Sequence, residues 1–422
     1  MKLLYLTHQY FPRHIGGTEV YLRGIVRRAV AAGHECRIIS CHEDPSQNPD
    51  DFHVEQTEFE GVPILEIHFN LSVTKNPARF EYFNPFVQET VLSELEIFHP
   101  HLVHAMHAMK LSGSALRACR VSCVPIIVTL CDYWFICPRH TLLKWDDSLC
   151  DGPSTSFKCL PCLRQLHRFA VLPKNPSKLG LFLREVRAIS GRSQFLRQEL
   201  LRANRIIALS HFQKEMFVKN GYPHDRIEVV PHGIEVSDLV IGEHVPNFSG
   251  KLRIGFIGNL VPFKGAHILI EAITRDPSLQ VECLIYGPLT ESLYCRKLRD
   301  KAANDQRIKF MGKFPTDQLG CVLRSTDILA LPALWYENNP LVVQGALHLG
   351  VPVLASQIGS LSDMIHPGNN GWLVKPGDVD EWTNTIREIN FENLPKFAPM
   401  NGKTMDANSK EVFEIYEQEA RR

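Results

Sequence analysis

The chain has 422 residues, and none of its apolar runs approaches the roughly eighteen needed to cross a bilayer. Stretches such as Val124–Leu130 are strand-sized, which disfavours the integral-membrane class. The opening Met1-Lys2-Leu3-Leu4-Tyr5-Leu6-Thr7-His8 has too short an apolar core for a signal peptide, and Pro12-Arg13 soon follows, so it reads as a first strand. Export is disfavoured on the same ground. There is no net charge, since Lys+Arg and Asp+Glu balance at 46 each, which argues against a generic nucleic-acid coat. The sequence contains no Gly-x-Gly-x-x-Gly, which argues against the usual dinucleotide oxidoreductase, and no internal repeat or low-complexity segment. Its twelve cysteines are too few for a disulfide scaffold of this length.

What is present is an ordinary globular composition, 44% apolar, in a chain long enough for two or three domains at about 150 residues each. Strand-like and helix-like segments alternate: Leu3–Thr7, a helical pattern through Val20, Leu22, Ile25, Val26 and Val30, then Cys36–Ser40. The alternation returns at Leu102–His104 and continues through strands at Val124–Leu130, Arg205–Leu209 and Ile227–Val230. Residues 233–251 are rich in Gly and Pro and read as a linker. It restarts with strands Leu252–Gly258, Gln280–Tyr286, Ile308–Met311, Ile328–Leu331 and Val351–Ala355, with helices between them. A last helix is expected at Ser409–Ala420. This order predicts an α/β protein of two parallel-sheet domains, 1–232 and 252–400, with a ligand cleft at the strands' carboxyl ends.

Three loops carry candidate chemistry. Gly16-Gly17 joins the first strand to a helix, where backbone N–H groups can approach an anion. Gly258-Asn259-Leu260-Val261-Pro262-Phe263-Lys264-Gly265 puts a cation on a strand-to-helix loop, suited to a phosphate. Trp335-Tyr336-Glu337-Asn338-Asn339-Pro340-Leu341-Val342 places an acidic residue in a loop and opens a helix at Pro340, a favoured first position. N–H groups at Asn339, Leu341 and Val342 would face an anion, while Glu337 could accept hydrogen bonds from hydroxyls.

Together with Gly350-Val351-Pro352-Val353 and Asn370-Gly371-Trp372-Leu373-Val374, these loops resemble, in order and over nearly the whole chain, retaining glycosyltransferases of family four. The resemblance implies the GT-B fold: two Rossmann-like domains facing a cleft, with the C-terminal helix, about 401–422, crossing back to the first. It implies an acceptor site on the first domain and a nucleotide-sugar donor site on the second. Lys264 would hold the donor diphosphate, Glu337 the sugar hydroxyls, the Leu341 and Val342 amides the distal phosphate, and Gly16-Gly17 would admit phosphates. No catalytic metal is expected, because cations and helix dipoles stabilise the leaving diphosphate. Three positions depart from the family pattern: Gly345 stands where a second Glu usually bonds the ribose, Cys131 where a His is usual, and Asn259 where Arg is frequent. By the same resemblance Cys131, near the reacting sugar, joins Glu337 and Lys264 as catalytic residues, and Asp132, Arg139 and His107 are assigned to the acceptor side. His104 and His107 read as packing or hydrogen-bonding groups before metal ligands.

Between about 131 and 205 an insertion carries Cys137, Cys150, Cys159 and Cys162, enough thiols for a structural Zn²⁺ or an iron–sulfur cluster. Its second part, Leu163–Arg205, holds ten Lys and Arg against two Glu, a net +8, interleaved with Leu and Phe. That pattern ranks an anionic membrane surface first, a solvated face next and nucleic acid last. Two readings follow. One is a cytoplasmic transferase, peripheral at the inner face of a membrane, moving sugar to a glycan or lipid-linked acceptor in polysaccharide biosynthesis. The other is a weak or inactive relative acting as a carbohydrate-binding or metal-stabilised accessory protein.

Overall fold

The computed structural model describes residues 1–44, 52–70, 77–153, 156–162, 179–240, 247, 249–389, 394, 397–400 and 402–421. The chain forms two compact units, Met1–Pro231 with Asp406–Arg422, and His232–Met405.

The first unit is built on eight strands: β1 (Lys2–Leu6), β2 (Glu35–Glu43), β3 (His53–Phe59), β4 (Val62–Phe69), β5 (Leu102–Ala105), β6 (Ile126–Leu130), β7 (Arg205–Ala208) and β8 (Ile227–Val229). Their order is β3-β4-β2-β1-β5-β6-β7-β8, parallel except where β3 runs antiparallel to β4. The central strands are continuous apolar runs because helices cover both faces, and Leu3, Leu4, Ile39, Val103 and Ile127 are fully buried. The helix Gly17–Ala31 follows β1 and closes the first right-handed crossover. The β3–β4 hairpin has no counterpart in the sequence reading. Most of β3 is polar and exposed, as an edge strand can be, and its turn is Glu60-Gly61, both at positive φ (53° and 76°).

The second unit has six parallel strands, β9 (Leu252–Ile257), β10 (Val281–Tyr286), β11 (Ile308–Gly312), β12 (Ile328–Leu331), β13 (Val353–Ser356) and β14 (Gly371–Val374), ordered β11-β10-β9-β12-β13-β14. The expected linker is not a loose connection where it is described. Ile234 and Leu239 are buried in this unit's apolar cluster with Leu323, Leu329, Val343 and Ala346. The strong hydrophobicity of those two residues outweighs the Gly and Pro around them.

The C-terminal helix Met405–Ala420 ends the chain within the first unit from Asp406 onward. Tyr416 is wholly buried and its hydroxyl meets His104 Nδ1 at 2.6 Å, while Asn408 accepts from the Tyr21 hydroxyl at 2.7 Å. Arg205 donates to the buried Glu419 at 2.7 Å.

Candidate functional site

In the second unit β9 and β12 are hydrogen-bonded neighbours, with Ile254 paired to Ile328 and Gly255 to Leu329. Because they are parallel, the loops at their carboxyl ends emerge side by side. Lys264 and Glu337, 73 residues apart in sequence, therefore meet: Lys264 Nζ donates to Glu337 Oε1 at 2.6 Å. Gly265 makes the approach possible. It sits at φ 77°, and a Cβ there would lie 1.7 Å from the Pro332 carbonyl oxygen. Trp335 Nε1 donates to the same Glu337 oxygen at 2.7 Å, and the Lys264 ammonium stands 4.9 Å from the Trp335 ring centroid.

The Glu337 backbone is clamped as well. Ser360 donates to the Glu337 carbonyl through its N–H (3.1 Å) and its hydroxyl (2.8 Å), and Gly359, at φ 58°, allows that contact. Pro340 is the N-cap and not the first helical residue, so the helix, Leu341–His348, begins one position later than expected. The first helical bond there is from the Val343 N–H to the Pro340 carbonyl, so the Leu341 and Val342 N–H groups precede it at the positive end of the helix. Asn339 Oδ1 accepts from Gln344, Asn338 is buried and Asn259 is exposed. Gly345 faces away from these polar groups. A Cβ there would meet Leu323 at 3.1 Å, Ile234 at 3.2 Å and Leu239 at 3.4 Å, all hydrocarbon.

In the first unit the carboxyl ends of β1, β5 and β6 gather a buried polar cluster. His107 Nε2 contacts Asp132 Oδ2 at 2.9 Å, and the His8 ring packs on His107 with centroids 4.3 Å apart. Burial pushes the Asp132 carboxyl up, but His107, His140 and the Trp134 N–H outweigh it and leave it below its usual range. Burial, with His107 and Lys110 nearby, pushes His8 well down, and burial pushes His140 down. Cys131 donates to the Met106 carbonyl, and burial raises its thiol pKa, so it remains a neutral thiol. Gly16 caps the helix Gly17–Ala31, and the space beside it is taken by the buried Glu19 carboxylate, whose Oε2 lies 2.6 Å from where a Gly16 Cβ would stand. Arg139 is engaged elsewhere, with the Lys144 carbonyl (2.6 Å) and Asp147.

Cys137, Cys150, Cys159 and Cys162 are all free thiols and electrostatic neighbours: Cys159 senses Cys150 and Cys162, and Cys137 senses Cys159. Burial raises the Cys137 thiol to about 12 and that of Cys159 to about 11. They do not form a group of three ligand atoms within 4.8 Å of one another; among the described residues that convergence occurs at Glu55, Glu66 and His68. Much of the basic segment, residues 163–178, lies outside the described residues. Where it is described, some of its charges turn inward, while Arg187 and Arg202 are exposed. Arg192 is buried and donates to both Glu81 oxygens (2.7 and 2.9 Å) and the Trp134 carbonyl, and Arg197 lies over the Tyr222 ring. Among the described residues no helix is long and apolar enough to cross a membrane.

The sequence pattern described as Glycosyltransferase Family 4 matches residues 15–238, more than half of the chain, and that of Glycosyl transferases group 1 matches 243–396. The chain belongs to glycosyltransferase family 4. Among its curated relatives, a D-inositol 3-phosphate glycosyltransferase of Corynebacterium efficiens is 31% identical over 182 residues, 39% of this chain and 43% of the relative. The chain thus matches less than half the length of that relative. Among solved structures, Anabaena HepE in complex with UDP and glucose superposes with a TM-score of 0.66 at 18% identity, covering 99% of each chain. Sucrose-phosphate synthase of Thermosynechococcus elongatus gives 0.61 at 17% identity, covering 100% of this chain and 96% of the other. The fold of this family member is GT-B, with two Rossmann-like α/β domains.

Sequence reasoning placed Lys264 and Glu337 on loops of the same rim but overlooked Trp335 as the second donor to Glu337, although it stands in the same motif. It also overlooked His8, Glu19 and His140 around the His107–Asp132 pair. Only His8, just after β1, carried a local signal, since Glu19 lies inside the helix Gly17–Ala31 and His140 well beyond the end of β6.

Proposed function

We propose that the chain is a retaining glycosyltransferase that moves a sugar from a nucleotide diphosphate to a hydroxyl of a glycan or lipid-linked acceptor. The observation that carries this reading is the Lys264–Glu337 pair at 2.6 Å beside the N-terminus of the helix Leu341–His348. A phosphate oxyanion is the ligand that Lys264 and the Leu341 and Val342 amides would share, and it would draw the ammonium away from Glu337. The freed carboxylate, still oriented by Trp335, would then accept hydrogen bonds from sugar hydroxyls. Asn338 and Asn339 extend this rim, and Asn259 offers an exposed amide on the loop that carries Lys264.

In transfer, the bond from the anomeric carbon to the diphosphate oxygen breaks, the acceptor oxygen bonds to that carbon on the same face, and the hydroxyl proton passes to the departing diphosphate oxygen. Lys264 and the helix N-terminus stabilise the charge that develops on the leaving group. The Gly16-Gly17 turn offers backbone N–H groups to an anion once Glu19 moves aside. His107 and Asp132, with Cys131 as a neutral neighbour, would orient an acceptor hydroxyl. HepE holds UDP and UDP-glucose in its complexes, which puts UDP-sugars first in a donor panel. Calorimetric binding and hydrolysis assays over that panel test the proposal, and no binding at millimolar nucleotide sugar overturns it.

A second reading, a non-catalytic carbohydrate-binding relative, is favoured by Gly345, where hydrocarbon replaces an expected hydroxyl acceptor. Turnover by the wild-type protein excludes it. The four clustered thiols are kept as a proposed structural Zn²⁺ or iron–sulfur site on the strength of their proximity, and metal analysis after anaerobic purification tests them. Peripheral contact with anionic membranes is proposed for 163–205, with vesicle co-sedimentation as its test.

A further inference from the structure

The β3–β4 hairpin of the first unit carries a separate concentration of titratable groups. Its antiparallel register sets Glu55 opposite Glu66 and His53 opposite His68. Residues two apart on a strand share a face, so all four project to the same side of the hairpin. His68 Nε2 lies 3.2 Å from Glu55 Oε2 and 3.1 Å from Glu66 Oε2, and the three atoms all fall within 4.8 Å of one another. Glu66 and His68 are 5% and 4% exposed. Glu66 Oε2 and His68 Nε2 are sealed from solvent, yet neither makes a hydrogen bond. Buried polar atoms ordinarily find such partners, so two lone-pair donors converging without one call for a cation.

More imidazoles surround them. The His53 ring stacks on His68 at 4.6 Å, His42 packs edge-on to His68 at 5.2 Å, and His14 Nε2 lies 3.4 Å from His42 Nδ1. The cation now facing both carboxylates is Arg13, 3.2 Å from Glu55 Oε2 and 3.3 Å from Glu66 Oε2. Its side chain is 43% exposed and can swing into solvent.

We propose that Glu55, Glu66 and His68 form a binding site for a divalent transition metal, Zn²⁺ by the chemistry of its donors, for which Arg13 is the resident competitor. Zinc takes imidazole nitrogen and carboxylate oxygen at about 2.0–2.2 Å, and a tetrahedral shell then spaces its ligand atoms about 3.3–3.5 Å apart. The contacts of 3.1 and 3.2 Å are close to that spacing. Magnesium and calcium favour oxygen-only shells, so the imidazole selects against them. A fourth position is left for water or for one of the adjacent histidines. Binding displaces Arg13 from both carboxylates, while Phe11 stays stacked on Phe59 of the hairpin.

The test uses the untagged full chain, stripped with a chelator and titrated with Zn²⁺ against a chromophoric competitor. A parallel titration with Co²⁺ separates this site from the cysteines, because thiolate ligands give a charge-transfer band that nitrogen and oxygen ligands do not. The expected result is one equivalent bound without that band, weakened by at least about tenfold in Glu55→Gln and tightened in Arg13→Ala. Glu55 is an accessible side chain whose replacement leaves the core packing intact, and circular dichroism with thermal melting checks that Arg13→Ala, which removes the ion-pair partner of the buried Glu66, still folds. Unaltered affinity in Glu55→Gln, or binding carried wholly by thiolates, overturns the proposal and leaves the cluster as an ion-pair network.

Discussion

Replacing Lys264 by Met separates what its ammonium does for the fold from what it does for a ligand. The pair it makes with Glu337 is tight, at 2.6 Å, and unequally shielded, with 27% of the Lys264 side chain and 6% of the Glu337 side chain exposed. At that distance the Coulomb attraction is about 6 kcal/mol at an effective dielectric of about 20, and desolvation of the carboxylate offsets much of it. Removing Lys264 leaves Glu337 with Trp335 Nε1 as its side-chain donor, an under-satisfied buried charge that costs about 1–3 kcal/mol. Urea denaturation followed by tryptophan fluorescence should therefore show Lys264→Met destabilised by that amount, and the double variant Lys264→Met/Glu337→Gln should recover most of the loss. Nucleotide-sugar affinity should behave differently. A charge-assisted phosphate contact is worth about 1.5–3 kcal/mol, so both variants should bind roughly ten- to a hundredfold more weakly. If single and double variants are equally unstable, the orphaned carboxylate is not the cause. If UDP-sugar binding is unchanged in both, Lys264 is no phosphate ligand.

Three further outcomes follow from the same kind of reasoning. Burial drops His104 to about 3, against about 6.5 in an unfolded chain, so only the unfolded state takes up its proton between those values. Its contribution to stability is complete above pH 6.5 or so and is lost as pH falls toward 3, roughly 2 kcal/mol by about pH 5; His104→Gln should flatten that part of the thermal-stability profile relative to wild type. Gly345→Glu should lower the melting temperature and fail to raise turnover, because the new carboxylate meets Leu323, Ile234 and Leu239; a gain in activity at wild-type stability would refute this placement. Arg192→Met should destabilise the protein by about 3–5 kcal/mol in chemical denaturation by stranding Glu81, while leaving vesicle binding unaffected, since the guanidinium is internal.

Much of the architecture is legible in the chain. Mostly apolar runs such as Ile126–Leu130 and Leu252–Ile257 mark parallel strands buried on both faces, and the loop Gly258–Gly265 after the second marks a strand-to-helix junction. The edge hairpin escaped notice because the β3 sequence, His53-Val54-Glu55-Gln56-Thr57-Glu58-Phe59, alternates too weakly to announce a strand. It gains its partner from β4, whose inner face is apolar. The basic segment shows what a charge count leaves open. Its net charge of +8 is a sum over Leu163–Arg205, whereas the Arg192–Glu81 contact, the Arg197–Tyr222 contact and the Arg205–Glu419 contact withdraw part of it from solvent.

By itself the sequence determined the two α/β halves, the loops that carry Gly16-Gly17, Lys264 and Glu337, and the family they belong to. These are local signals: hydrophobic period, turn residues, and a cap at the start of a helix. The tertiary structure decided the rest. Strand order set β9 beside β12, and with it Lys264 against Glu337; hairpin register set Glu55 against Glu66 and His68; core packing turned Gly345 toward hydrocarbon. Each depends on which distant segments share a sheet edge or a core. That is settled by burying apolar surface and pairing backbone groups over the whole unit, which no local window of sequence contains.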